Sequence, residues 1–159
     1  GGGLIGSSLG LALKQDKVVH QMIGVGRSAS NLDQALKIGA IDRVADLADA
    51  VRSSQWIVVC VPVAQMRAIF TQMEPHLGPN TLITDAGSTK CDVILAAKET
   101  LGKKVCQFVP AHPIAGGAQH GAAAARADLF QGKQTIICQL QENSAADVTL
   151  VEQFWMTVC

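Results

Sequence analysis

Short apolar runs alternate with stretches of helical periodicity along the chain. The clearest run covers residues 56–61, which are uninterrupted apolar positions bounded by Pro62 and typical of a parallel strand buried on both faces. Further strands are predicted over residues 18–25, 81–84, 105–109 and 135–138. Helices are predicted from residue 4, from an N-cap at Ser30 to a stop at Gly39, over 47–51, 66–73 and 91–101, and from about residue 146. This order predicts an α/β fold with a doubly wound parallel sheet of the Rossmann type.

The chain opens with the pattern G-x-G-x-x-G, formed by residues 1–6, directly before the first predicted helix. In a dinucleotide-binding fold the first glycine permits a tight turn, the second lets the backbone approach a pyrophosphate, and the third lets the helix pack closely on the sheet. The helix N-terminus then offers unpaired N–H groups to the anion. The sequence therefore predicts a cofactor site that includes Gly1, Gly3, Leu4, Ile5 and Gly6.

Such a loop ordinarily follows a strand, and no strand precedes Gly1 in this sequence. The length suits a single domain. We therefore expect residues 1–159 to be a dinucleotide-binding domain that lacks its first, central strand, and we expect this fragment alone to be inactive.

Composition narrows the class of ligand. The chain holds 13 Lys and Arg against 13 Asp and Glu, so the net charge is +0 and no basic stripe attracts nucleic acid or an anionic membrane. No apolar run approaches the length of a membrane span. Five widely spaced cysteines form neither a C-x-x-C pair nor a Cys/His cluster, which favours a reduced, metal-free, cytoplasmic protein. We expect a small-molecule substrate.

The end of the strand predicted over residues 18–25 bears on the choice of dinucleotide. NAD sites usually carry an acidic residue there, whereas this chain has Arg27 and Ser28, a cation and a hydroxyl suited to a 2′-phosphate. NADP is therefore favoured, with NAD as the other candidate. In the alternative interpretation Arg27 stacks on the adenine and the backbone binds the ribose. Val61 and Pro62, at the end of the next long strand, are further candidates for cofactor binding.

Two polar residues that follow later strands are candidates for chemistry. His112 can accept and donate protons near neutrality, as hydride transfer from an alcohol requires, or it is a loop histidine hydrogen-bonded for structure. Ser88 can hydrogen-bond a substrate or the nicotinamide carboxamide, cap the next helix, or do both. Lys90 either attracts a carboxylate or, as is more common in the first turn of a helix, is a solvated lysine, and the latter is expected here. His120 is a secondary candidate base.

Five segments resemble the prephenate and arogenate dehydrogenase family of tyrosine biosynthesis. They are Gly1-Gly2-Gly3-Leu4-Ile5-Gly6-Ser7-Ser8-Leu9, Val25-Gly26-Arg27-Ser28, Cys60-Val61-Pro62-Val63, Asp85-Ala86-Gly87-Ser88-Thr89-Lys90 and His112-Pro113-Ile114-Ala115-Gly116. They span nearly the whole chain in the order expected of the family. The glycine-rich loop and Val-Pro are shared with many dehydrogenases, but Asp-x-x-Ser-x-Lys followed by His-Pro-Ile-Ala-Gly is much more specific.

The resemblance implies oxidative decarboxylation of prephenate or arogenate. A hydride leaves the ring carbon that bears the 4-hydroxyl for the nicotinamide, and carbon dioxide departs as the ring becomes aromatic. The resemblance assigns His112 to the 4-hydroxyl, as hydrogen-bond acceptor and base, and Ser88 to a position beside it. It also implies a second, helical domain outside these residues that builds a homodimer and supplies cations for the substrate carboxylates. Members often carry Thr-Glu where this chain has Gly117-Ala118, so that polar contribution is missing.

Two other functions fit part of the sequence. A β-hydroxyacid dehydrogenase shares the fold and the opening loop, but such enzymes use a lysine of their second domain and the segment around His112 is then unexplained. A non-catalytic dinucleotide-sensing module uses residues 1–6 and leaves Ser88 and His112 idle.

Overall fold

The computed structural model describes residues 1–159 as six helices and six short strands, largely in alternation. The helices are α1 Leu4–Gln15, α2 Ala29–Lys37, α3 Leu47–Ser53, α4 Val63–Met73, α5 Lys90–Thr100 and α6 Ala145–Val158. The strands are β1 Ile23–Gly24, β2 Arg43–Val44, β3 Trp56–Val59, β4 Leu82–Asp85, β5 Ala111–Pro113 and β6 Thr135–Ile137. Short 3₁₀ segments lie at Glu74–His76, Gly102–Gln107 and Ala122–Ala124.

The strands pair in three couples. β1 with β2 and β3 with β4 are parallel, whereas β5 with β6 is antiparallel. One parallel bridge between Ile83 and Phe108 joins β4 to the segment before β5. The predicted α/β fold with parallel strands is confirmed. The antiparallel pair departs from the predicted parallel sheet, and residues 114–134 between β5 and β6 contain a 3₁₀ segment but no crossover helix of the kind that usually joins parallel strands.

The glycine-rich loop lies between the two parallel couples. A Cβ built on Gly1 would be 2.0 Å from the carbonyl oxygen of Cys60, just after β3. A Cβ built on Gly26, just after β1, would be 3.7 Å from the Gly2 nitrogen. The loop is therefore flanked by the carboxyl ends of β1 and β3. The strand expected before Gly1 stays a prediction.

The start of α2 differs from the one predicted at Ser30. Ser28 has the extended backbone of an N-cap, and its Oγ accepts the Asn31 N–H at 3.3 Å. The cap at Ser30 is therefore wrong. The stop at Gly39 is confirmed, because this residue follows α2 with a φ of +75°, a conformation that glycine adopts without strain.

The strand predicted over residues 105–109 is reduced to a single parallel bridge between Phe108 and Ile83, because Gly102–Gln107 form a 3₁₀ segment. Val105 and Phe108 are buried, while Cys106 between them is exposed. Phe108 follows the 3₁₀ segment with an extended backbone. The strand predicted over residues 18–25 is reduced to Ile23–Gly24, since its partner β2 offers only two residues for pairing.

Helices cover the strands through two large apolar clusters. One cluster joins α4 and α5 to the 3₁₀ segment, and its Phe70 and Phe108 rings lie 5.1 Å apart. The other joins α1 to α6 through fully buried residues such as Leu13 and Trp155. Trp155 Nε1 donates to Thr84 Oγ1 at 3.3 Å, so two buried polar groups satisfy each other. No helix has the length and apolar character needed to cross a membrane.

Asn143 secures the irregular segment before β5. Its side chain accepts the Leu140 N–H at 2.8 Å and donates to the Cys106 and Phe108 carbonyls at 3.1 and 2.8 Å. We expect Asn143→Ala to lower the free energy of unfolding by about 2–3 kcal/mol, because three backbone groups lose their partner. Chemical denaturation measures the loss. Asn80→Ala, at an exposed turn residue, is the control, and an equal loss in both variants would contradict this role.

Candidate functional site

The N-terminus of α1 presents unpaired backbone donors. Gly3 is the N-cap residue without a side-chain cap, and the first bond of the helix runs from the Ser7 N–H to the Gly3 carbonyl at 3.0 Å. The N–H groups of Leu4, Ile5 and Gly6 precede that bond, and no acidic side chain lies in the first turn. This helix end is therefore suited to an anion.

The three glycines of the motif differ in what surrounds them. A Cβ on Gly6 would lie 2.0 Å from the Gly1 carbonyl oxygen, and a Cβ on Gly1 would lie 2.0 Å from the Cys60 carbonyl oxygen. Both positions require glycine for close backbone packing. A Cβ on Gly3 would meet no atom within 4 Å. Gly3 therefore leaves an open cradle beside the unpaired N–H groups, in the manner expected of the second glycine of the motif.

The neighbouring cofactor candidates also lie at this edge. Val61 packs by the loop, since its Cγ1 would be 3.5 Å from a Cβ on Gly1, and Pro62 is the exposed residue that precedes α4. Arg27 is exposed and has no hydrogen-bond or ion-pair partner in the chain. Ser28 is exposed as well, but its hydroxyl is engaged in capping α2 and lies 3.1 Å from Ser30 Oγ.

The segment between β5 and β6, for which the sequence predicts no helix or strand, lies near the first turns of α1 and α2. A Cβ on Gly117 would lie 3.4 Å from Leu4 Cδ2, at the first residue of α1. The Ala122 N–H donates to Asn31 Oδ1 at 3.4 Å, near the start of α2. The residues between β5 and β6 therefore connect His112 with the glycine-rich loop and with the region of Arg27. Their Ala and Gly content was the only signal in the sequence for such close passage.

Asp85, the last residue of β4, is the most connected polar side chain of the site. It is fully buried, and its Oδ2 accepts the Gly87 N–H at 2.8 Å and a hydrogen bond from Lys90 Nζ. Its Oδ1 accepts the Ala111 N–H at 3.1 Å. Gly87 and Ala111 immediately precede Ser88 and His112. A single carboxylate thus joins the two segments that carry the candidate catalytic residues.

Lys90 is not the solvated lysine that the sequence predicted. Its side chain is only 12% exposed, pairs with Asp85 and donates to the Ala111 carbonyl at 2.6 Å. The signal that could have found this pair was an aspartate directly after the predicted strand over residues 81–84, since a charge buried there needs a cation nearby. Desolvation raises the pKa of Asp85 and lowers the pKa of Lys90, while the charge of each partner acts in the opposite direction.

Ser88 and His112 keep their polar side-chain atoms free of the protein. Ser88 is exposed and makes no side-chain hydrogen bond, and the residue that precedes α5 as its N-cap is Thr89. The alternative role of Ser88 as a cap is therefore not realised. His112 is half-buried in β5 opposite Ile136, and its ring makes no hydrogen bond, which disfavours a purely structural histidine. His120 is exposed in the segment after β5.

The remaining reactive groups offer little chemistry here. Cys60 is half-buried beside the loop, and desolvation of its thiol raises the pKa to about 11, so it stays protonated at neutral pH. All five cysteines are free. No group of three or more His, Cys, Asp and Glu side chains is arranged to hold a metal ion. The polar groups available to a ligand are thus those of the loop, Arg27, Ser88 and His112.

Fold and site together define a class of protein. The chain has helices packed on β-strands and a glycine-rich loop at the start of its first helix, with polar side chains at the same edge. This is the architecture of a Rossmann-type nucleotide-binding domain. Sequence comparison identifies the particular family. Residues 9–159 match the family model of the prephenate dehydrogenase nucleotide-binding domain. The chain belongs to this family.

Individual relatives agree with this assignment. The prephenate dehydrogenase of Bacillus subtilis is 36% identical over 154 residues, which are 95% of this chain and 40% of that protein. The cyclohexadienyl dehydrogenase of Zymomonas mobilis is 32% identical over 156 residues, which are 96% of this chain and 52% of that protein. The chain thus spans about half the length of these relatives, or less.

Solved structures show the same fold. Prephenate dehydrogenase from Aquifex aeolicus, in complex with hydroxyphenyl propionate and NAD+, superposes with a TM-score of 0.90 at 26% identity, over 99% of this chain and 55% of that one. Arogenate dehydrogenase from Synechocystis superposes with a TM-score of 0.88 at 25% identity, over 99% of this chain and 55% of that one.

Proposed function

We propose that this chain is the cofactor-binding part of an enzyme that oxidatively decarboxylates prephenate or arogenate in tyrosine biosynthesis, with hydride transfer to NAD or NADP. The observation that carries the proposal is the carboxylate of Asp85, which accepts hydrogen bonds from the residues directly before Ser88 and His112. Two side chains with free polar atoms are thereby held near the end of β4, at the edge where the glycine-rich loop lies. Membership of the family supports the choice of reaction.

The residues of the loop fit a nicotinamide dinucleotide. The open space at Gly3 and the N–H groups of Leu4, Ile5 and Gly6 suit the pyrophosphate. Val61, which lies beside Gly1, and the following Pro62 are proposed as further cofactor contacts. When bound, the nicotinamide would accept the hydride.

The protein groups would act on the substrate hydroxyl. His112 would accept the proton of the 4-hydroxyl as the hydride leaves the ring carbon, because its ring has no competing partner in the chain. Ser88 would hydrogen-bond beside it, to the substrate or to the nicotinamide carboxamide. Loss of carbon dioxide makes the ring aromatic and drives the reaction in one direction.

We favour NADP over NAD. Arg27 is exposed at the end of β1 without an ion-pair partner, and no acidic residue stands in the place where NAD sites usually carry one. Because the Ser28 hydroxyl caps α2, Arg27 is the main candidate for a 2′-phosphate.

The rival functions leave observations unexplained. A β-hydroxyacid dehydrogenase would not need His112, and a dinucleotide-sensing module would need neither Ser88 nor His112.

For the whole protein we further propose a cytoplasmic homodimer that is built by a helical domain outside residues 1–159. Free cysteines without disulfides support the compartment.

Gly3 tests the cofactor site. We expect Gly3→Ala to weaken binding of NAD or NADP by about 10-fold or more, because the methyl group would fill the proposed pyrophosphate cradle. The free energy of unfolding should change by about 1 kcal/mol or less, since the added Cβ meets no atom. Calorimetric titration of the full-length protein measures the binding. Gly78→Ala, at the opposite end of β4, is the control, and equal binding by both variants would disprove the cradle.

His112 tests the reaction. We expect the full-length protein to turn over prephenate or arogenate, and His112→Asn to lower kcat by about 10²–10⁴-fold with a much smaller rise in KM. Steady-state kinetics measure both parameters. His20→Asn, at an exposed histidine, is the control. A variant that keeps kcat while KM alone rises would make His112 a binding residue.

Arg27 tests the choice of dinucleotide. We expect Arg27→Asp to shift the ratio of kcat/KM values from NADP toward NAD, because a carboxylate repels the 2′-phosphate and accepts the ribose 2′-hydroxyl. Lys37→Asp, at the other end of α2, makes the same change of charge and should leave the ratio unaltered. If Arg27→Asp leaves the preference as it was, Arg27 does not read the ribose.

A further inference from the structure

We infer that Asp85 and Lys90 are positioning residues for the proposed active site. The pair holds the backbone of Ala111, and through it the ring of His112, against the turn that carries Ser88. The inference rests on the proposed function and assigns neither side chain a contact with substrate.

The pair binds both polar backbone groups of one residue. Asp85 Oδ1 accepts the Ala111 N–H at 3.1 Å, and Lys90 Nζ donates to the Ala111 carbonyl at 2.6 Å. The two side chains also bind each other, so the carboxylate, the ammonium group and the peptide groups of Ala111 close a ring of hydrogen bonds. Ala111 is itself completely buried. The backbone directly before His112 is thus restrained from both sides.

The same carboxylate restrains the turn of Ser88. Asp85 Oδ2 accepts the Gly87 N–H at 2.8 Å, and a Cβ on Gly87 would lie only 2.9 Å from that oxygen. The turn therefore packs directly on the carboxylate, with no room for a side chain in between. Ser88 and His112 are each one residue away from a hydrogen bond to Asp85.

This ion pair differs from the others in the chain. The six other salt bridges join side chains that are between 31% and 64% exposed, whereas Asp85 is 0% and Lys90 12% exposed. Surface pairs contribute little to stability, and burial of a pair costs desolvation that its attraction only partly offsets. The geometry that the buried pair imposes on Ala111 is therefore its distinctive effect.

His112 has few other restraints. β5 is three residues long, and the ring of His112 makes no hydrogen bond. The antiparallel pairing of β5 with β6 is therefore the main remaining support of His112. A shift of about 1 Å in a reacting group can lower a rate by about 10²-fold. Loss of the Lys90 hydrogen bonds should therefore affect the rate more than the binding of cofactor at the distant loop.

The test compares Lys90→Met with wild type in the full-length protein. We expect kcat to fall about 10–100-fold, while the dissociation constant for NAD stays within about twofold. Hydrogen exchange of the backbone over residues 109–113 should become faster, because the Ala111 carbonyl loses its donor. Lys98→Met is the matched control, since Lys98 lies on the same helix in an exposed pair with Glu142.

A second variant guards against misfolding, because Lys90→Met leaves a buried carboxylate without its cation. Asp85→Asn combined with Lys90→Met removes both charges and keeps one acceptor oxygen for the Ala111 N–H. We expect this folded double variant to retain the loss of kcat and the faster exchange. Folded variants that keep the wild-type kcat would overturn the inference, whatever their exchange rates.

The exchange measurement separates two kinds of failure. If wild type turns over neither substrate, the proposed function is wrong, and unchanged exchange in the folded variants would overturn the positioning role as well. If wild type is active and the folded variants keep its kcat, the positioning role fails while the proposed function stands.

Discussion

The hydrogen bonds of one buried carboxylate organise the edge of the sheet at which the site lies. Asp85 ends β4. Its two carboxylate oxygens accept hydrogen bonds from the turn after β4, from the first residue of α5 and from the first residue of β5. A charge in such a position needs both a cation and a full set of donors, because an unpaired buried charge is strongly unfavourable. The requirement couples the end of β4 and the turn into α5 to the start of β5, 26 residues after Asp85, and Ser88 and His112 inherit their positions from that coupling.

A different constraint acts on the glycine-rich loop, and it is steric rather than electrostatic. Gly1 and Gly6 have no side chains because backbone carbonyls occupy the places where a Cβ would be, so the first turn of α1 can approach β3 closely. Gly3 has no such neighbour. The backbone packs closely at Gly1 and Gly6, and there is open space at Gly3. The N–H groups at the start of α1 are therefore left exposed to a ligand. In the proposed site the loop would hold the cofactor, and the Asp85 network would arrange the candidate reactive groups beside it.

The parts of this structure that could be predicted from sequence are those in which a local pattern decides the outcome. The run over residues 56–61, the glycine motif and the stop at Gly39 each carry a strong local signal, and the corresponding strand, loop and helix end are present. The failures lie where tertiary contacts decide. Residues 105–109 have the composition of a strand, but the residues up to Gln107 form a 3₁₀ segment and Phe108 makes a single bridge to β4. The sequence around Lys90 is that of a surface lysine, because burial of the Asp85 carboxylate depends on tertiary contacts that the local pattern does not show.

The role of Lys90 also limits what this part of the protein can recognise. Its ammonium group is committed to Asp85 and to the Ala111 carbonyl, so it is not free to bind a substrate carboxylate. Arg27 lies at the end of β1, on the far side of the glycine-rich loop from β4. The region around Ser88 and His112 therefore offers a hydroxyl and an imidazole but no uncommitted cation from its own turn. These groups suit the hydroxyl of a ring. The proposed substrates prephenate and arogenate share both carboxylates and differ in a keto or an ammonium group on the side chain, so a choice between them would depend on groups outside this turn.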